Sequence, residues 1–121
     1  MTTTLKSALT VLCGAKSVRG GLIITKDGMI IESNLDDNKQ AETLGAFMSH
    51  IALNIKISLK ELGASDFTRY VLQSNKSRVF LVDLGKSVLI TLTDPDVDMA
   101  AINVAIYQAA NQIKKSGRLD V

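Results

Sequence analysis

Asp27-Gly28 sits between two short apolar runs, Gly20-Gly21-Leu22-Ile23-Ile24-Thr25-Lys26 and Met29-Ile30-Ile31-Glu32-Ser33. β-Branched side chains lose rotamer freedom in a helix and pack well on a pleated strand. Asp-Gly supplies the positive-φ positions of a type I′ turn. The segment therefore predicts an antiparallel hairpin, and a lone hairpin is at best marginally stable in water. The rest of the chain must supply further strands and a layer that covers them.

From Gln40 to Leu62 the apolar period lengthens. At about 100° per residue, Leu44, Met48, Ile51, Ile55, Leu59 and Leu62 fall within one arc of about 80°, which predicts a long helix with that arc on the core. Gly63 stands where a left-handed cap belongs. Three more strand-like runs follow, Phe67 to Gln73, Val79 to Leu84 and Ser87 to Thr93, with turn residues at Ser74 to Ser77 and at Gly85-Lys86. They predict an antiparallel meander.

Asp94-Pro95-Asp96 ends the last run, and either aspartate can cap a final helix whose first turn also carries Asp98. Met99, Ile102, Ile106, Ala109, Ala110 and Ile113 share one face of that helix. A short helix at the other end places Leu5, Ala8, Leu9 and Leu12 on one face, capped by Thr2, Thr3 or Thr4. The order α-β-β-α-β-β-β-α argues for a single α+β domain, residues 1–121, in which helices flank a five-stranded antiparallel sheet. Residues 116–121 are expected to be a loose tail.

The chain is long enough for one hydrophobic core, and 46% hydrophobic residues with a single proline describe a globule. Fourteen basic residues against twelve acidic ones give a net charge of +2. The basic residues form no run, which argues against a nucleic-acid partner. No apolar stretch approaches the roughly 20 residues of a membrane-spanning helix. Leu9 to Cys13 superficially resembles a lipoprotein signal. Leu12 is too bulky to precede such a cysteine, so an amphipathic helix and a cytoplasmic protein are expected.

Little in the sequence points to chemistry. Gly14-Ala15-Lys16-Ser17 lacks the glycine that precedes the lysine of a phosphate loop and leads into a strand. Gly85-Lys86-Ser87 has Phe80 where the leading glycine is required and joins two strands. The lone His50 lies away from the core arc with no carboxylate or thiol at helical spacing. Cys13, the single cysteine, reads as a small core residue. Asp27, Asp36, Asp37, Asp94, Asp96 and Asp98 fall in turns or at helix starts, and Asp83 on its strand should face outward. No enzyme activity, cofactor or metal is expected.

Recognition of another protein is better supported. Ala46, Leu53 and Ile57 lie together on the far side of the long helix, with Phe47 at the edge and His50 and Asn54 among them. The strand Phe67 to Gln73 holds no proline and one charge, Arg69, and a sheet edge of that kind recruits partners. Helix 40–62 and strand 67–73 are therefore expected to form a homodimer interface, with Phe67, Arg69, Val71 and Gln73 contributed by the strand.

The stretch Ser17 to Ser33, a small-residue apolar strand followed by an Asp-Gly turn, resembles the roadblock/dynein light chain family. The long helix ending in Leu62-Gly63 and the hairpins after it fit along essentially the whole chain. The resemblance implies a profilin-like sandwich with the long helix on one face of the sheet and the terminal helices on the other. It also implies dimers joined along the long helix and the strand after it. Its short build looks like the prokaryotic group, whose members bind and activate a small Ras-like GTPase, so the resemblance implies a homodimeric scaffold for such a GTPase or for a motor or signalling complex. A rival reading is a ligand sensor of PAS or GAF type, although the Leu, Ile, Val, Met and Ala at inward positions leave little to orient a ligand.

Overall fold

The computed structural model describes residues 3–64 and 68–115. Its elements are α1 (Thr3–Cys13), β1 (Val18–Thr25), β2 (Ile30–Ser33), α2 (Asn38–Glu61), β3 (Arg69–Gln73), β4 (Arg78–Asp83), β5 (Ser87–Thr93) and α3 (Met99–Lys115). Every element expected from the sequence is present, with shifts of a residue or two at the ends. The expected tail 116–121, and Phe67, lie outside the described residues.

The five strands form one sheet in the order β2-β1-β5-β4-β3, antiparallel throughout. Alternation sends successive side chains to opposite faces, and both faces are covered. On one, Ile23, Phe80 and Leu89 pack with Leu5, Leu9 and Leu12 of α1 and Ile102, Ile106 and Ile113 of α3. On the other, Leu22, Ile24, Leu81, Val88 and Ile90 pack with Met48 of α2. This is the profilin-like α+β sandwich implied by the resemblance.

Three local expectations are corrected. Asp27-Gly28 does not form a type I′ turn, because Gly28 alone has positive φ, at 97°. The Gly28 N–H donates to Thr25 C=O and the Thr25 N–H to Met29 C=O, which is a type I turn closed by a glycine bulge. The Thr25 hydroxyl also donates to the Asp27 carboxylate and accepts from the Met29 N–H. At α3 the cap is Asp98, whose carboxylate accepts from the Ala100 and Ala101 N–H groups at 3.0 and 3.3 Å, so neither Asp94 nor Asp96 takes that role.

The third correction concerns Leu62, assigned to the core arc of the long helix but 80% exposed. Its cause is helix length. Twenty-four residues extend about 36 Å, whereas the eight residues of β1 span about 26 Å and five strands about 19 Å across. The buried residues of α2 are Ala41, Gly45, Met48 and Ser49, and beyond Ala52 none is buried. The helix outruns its sheet. Asp37 starts it by accepting from the Lys39 and Gln40 N–H groups. It ends where the Gly63 N–H donates to Lys60 C=O and the Ala64 N–H to Leu59 C=O, with Gly63 at φ 74°. That is a Schellman arrangement with Gly63 as its left-handed residue, the role the sequence assigns to it.

Close contact between α2 and the first hairpin depends on a missing side chain. A Cβ on Gly45 would meet Ile30 Cδ1 at 3.0 Å and the Gly28 carbonyl oxygen at 3.1 Å. Gly45→Val is therefore expected to destabilise the fold by about 3 kcal/mol, the upper part of the range for overpacking, because a backbone atom cannot move aside as a side-chain tip can. Urea melts of the variant and the parent check this.

Candidate functional site

β3 is an edge strand of the sheet. Its pairing with β4 determines which backbone groups remain free. The Asp83 N–H donates to Thr68 C=O and the Ser74 N–H to Ser77 C=O, both at 2.9 Å. Those opposed residues are thus hydrogen-bonded pairs, and in an antiparallel ladder such pairs alternate with unbonded ones. Stepping inward by two, Tyr70 bonds opposite Leu81 and Leu72 opposite Val79. The facing pairs Arg69 with Val82, Val71 with Phe80 and Gln73 with Arg78 are the unbonded ones. The N–H and C=O groups of Arg69, Val71 and Gln73 therefore point away from the sheet, along its open edge.

The side chains of these three residues belong to the face of the terminal helices. Val71 packs against the α1/α3 cluster, and the Arg69 guanidinium lies 5.6 Å from the centroid of Phe80. Tyr70 and Leu72 face α2 instead. They pack against the cluster that includes Met48 and were missed from sequence, although strand alternation alone carries that signal. Burial pushes the Tyr70 phenol up in pKa.

β2, at the opposite edge, is a poorer template. It has four residues, its register with β1 is broken by a bulge between Ile23 and Ile24, and it carries Glu32. Short, bulged and charged edges resist pairing. β3 has five residues in unbroken register.

On α2, Ala46, Phe47, His50, Leu53, Asn54 and Ile57 are all exposed. Phe47 is 63%, Leu53 53% and Ile57 51% accessible. The helix thus leaves an apolar flank exposed, on the side of the sheet to which Tyr70 and Leu72 of β3 also turn.

The remaining candidates stand apart from this surface. Cys13 is half-buried rather than a core residue, and burial pushes its thiol up, opposed by a hydrogen bond with the Asn34 side chain. Such a thiol stays protonated at neutral pH. Gly14 to Ser17 leads into β1, and Gly85-Lys86 forms the β4–β5 turn with Gly85 at φ 111°. Asp83 accepts from Lys26 Nζ and from the Gly85 N–H, each at 2.8 Å. Among the described residues no three His, Cys, Asp or Glu side chains are grouped to hold a metal ion. None of the described helices is long and apolar enough to cross a membrane.

The chain is thus a profilin-type sandwich with β3 at one edge of its sheet and an exposed apolar flank on α2. Residues 8–94 match the model of the Roadblock/LC7 domain, and the chain belongs to that family. Among similar proteins, the uncharacterised protein MJ0714 of Methanocaldococcus jannaschii is 31% identical over 97 residues, which is 80% of this chain and 82% of that one. MglB of Myxococcus xanthus superimposes with a TM-score of 0.87 at 16% identity, covering 94% of both chains. Profilin IB of Acanthamoeba castellanii gives 0.63 at 14% identity, covering 96% of this chain and 98% of its own.

Proposed function

We propose that the chain is a cytoplasmic, non-catalytic homodimeric scaffold that binds and regulates a small Ras-like GTPase. The observation that carries the dimer is the outward row of Arg69, Val71 and Gln73 backbone groups, and the exposed Phe47, Leu53 and Ile57 of α2 support it. An edge of this kind is completed by a second strand, and a second copy supplies one of equal length and the same outward phase. If two β3 strands overlap fully, Val71 lies opposite its counterpart, and the exposed ends of the two α2 helices meet on one side of the joined sheet. Phe67, the sequence's further candidate for this contact, immediately precedes the described part of the strand.

The GTPase is the partner implied by membership of the family. An adaptor suits a chain in which Asp37 and Asp98 cap helices, Asp27 closes a turn, and Asp83 and Asp94 pair with Lys26 and Arg19. Affinity purification from the native organism, with and without a GTP analogue, tests the reading. A small GTPase is expected to co-purify in a nucleotide-dependent way. A bound small molecule in place of a protein would favour the ligand-sensor reading.

Ile57→Asp tests the helix flank. Ile57 is half-exposed in the single chain, so a charge there costs the monomer little. A carboxylate buried without a partner in the dimer is expensive. Self-association is expected to weaken at least roughly tenfold, equivalent to about 1.4 kcal/mol, with the circular dichroism spectrum unchanged. Loss of the spectrum would mean that this face belongs to the core.

A further inference from the structure

Two guanidinium groups near the open edge meet no carboxylate among the described residues. Arg69 on β3 lies over the Phe80 ring. Arg78 on β4 gives Nη1 to the thioether of Met99 at 2.8 Å, and its buried Nε has no hydrogen-bond partner among the described residues. The ion pairs there are Arg19 with Asp94 and Lys26 with Asp83. Arg69, Val71 and Gln73 and the residues opposite them, Val82, Phe80 and Arg78, share the face of the terminal helices. That face bears no acid on either strand, and α3 has none from Met99 to Lys115. Asp98 caps α3, and with Asp96 it lines a cavity shared with Lys16 and Ser17 of the α1–β1 loop.

α3 packs over β4 and β5, where Ile102, Ile106 and Ile113 cluster with Phe80 and Leu89, and it leaves Arg69 and Gln73 of β3 exposed. Joining two copies with Val71 opposite its counterpart sets Arg69 of the second copy opposite Gln73, which is itself opposite Arg78. Residues opposed across a ladder share a face, with strands about 5 Å apart. Each end of the joined edge thus gains two arginines with backbones about 10 Å apart, on either side of a centre made by the two Val71 side chains. This floor is two strands wide and lies roughly one helix diameter below the tops of the two α3 helices.

We propose that the floor is the seat of an acidic segment of a partner protein, with carboxylates at the two arginine pairs and an apolar residue over Val71. The inference rests on the proposed homodimer and adds a second surface, on the face away from α2. Like charges brought together across strands repel, and carboxylates are the complement that guanidinium groups bind best. A segment of chain can enter a recessed floor, whereas the flat surface of an anionic bilayer is held off by the helices.

The test uses the full 15N-labelled chain and two probes, the N-acetyl-Glu-Leu-Leu-Glu amide and N-acetyl-Gln-Leu-Leu-Gln amide peptides. The Glu peptide is expected to shift the amide signals of Arg69, Val71, Gln73 and Arg78. Its affinity should be at least about fivefold above that of the Gln peptide, the scale of exposed ion pairs. Arg69→Gln, which alters an exposed side chain and keeps the edge backbone, should remove that difference. Lys60→Gln, on α2, should preserve it. Equal affinity for the two peptides, shifts confined to α2, or displacement of the Glu peptide by phosphatidylserine vesicles would overturn the proposal. Sedimentation of the same samples separates the seat from the assembly on which it rests. A dimer indifferent to the two peptides sinks the seat and keeps the homodimer, and a monomeric chain removes both.

Discussion

Val71→Pro is expected to leave the chain folded but monomeric. The Val71 N–H points away from β4, so proline removes no hydrogen bond within the sheet, and edge strands tolerate proline on their solvent side. In a paired edge the same N–H is a donor to the second copy. Its loss from both chains removes two hydrogen bonds of about 0.5–1.5 kcal/mol each, and the proline ring also occupies the space of the incoming strand. Together these amount to roughly 3 kcal/mol, or about a hundredfold in the dissociation constant. Val71→Ala is the control. It loses the contact of Val71 with the terminal-helix core as the proline variant does, but keeps the N–H, and it should remain dimeric by size-exclusion chromatography. Equal loss of the dimer in both variants would mean that the Val71 side chain, and not the backbone edge, makes the contact.

Phe80→Ala should produce the largest loss of stability. Phe80 is fully buried on β4, the strand next to the edge, packed in the cluster that includes residues of α1, α3, β1 and β5, with Arg69 over its ring. Removing a buried phenyl group costs the transfer free energy and leaves a cavity, about 3–5 kcal/mol in comparable cores. For a domain with a total of about 5–15 kcal/mol, that is a large share, and a chemical denaturation midpoint will read it. The position also anchors the strand beside β3. Weakened self-association is therefore expected only where the fold itself begins to open.

The elements themselves were legible because each is signalled locally: alternation for the strands, a 3.6-residue period for the helices, Gly63 for the end of α2. Features that depend on how elements meet were not. Asp27-Gly28 marks a turn, but only the Thr25–Met29 pairing decides that Gly28 is a bulge residue. Leu62 carries the core period of α2 and is exposed because the helix is longer than the sheet beneath it. For β3, membership of an edge was readable, whereas the outward phase of Arg69, Val71 and Gln73 follows from the register with β4, which no local pattern encodes. Tyr70 and Leu72 were overlooked although alternation places them beside α2.

Sedimentation equilibrium of the wild-type chain at micromolar concentration tests the central claim most directly. The expected result is a species of twice the 13.0 kDa of one chain, reduced to one chain by Val71→Pro. A mass of 13.0 kDa for the wild type, unchanged across that concentration range, would contradict it.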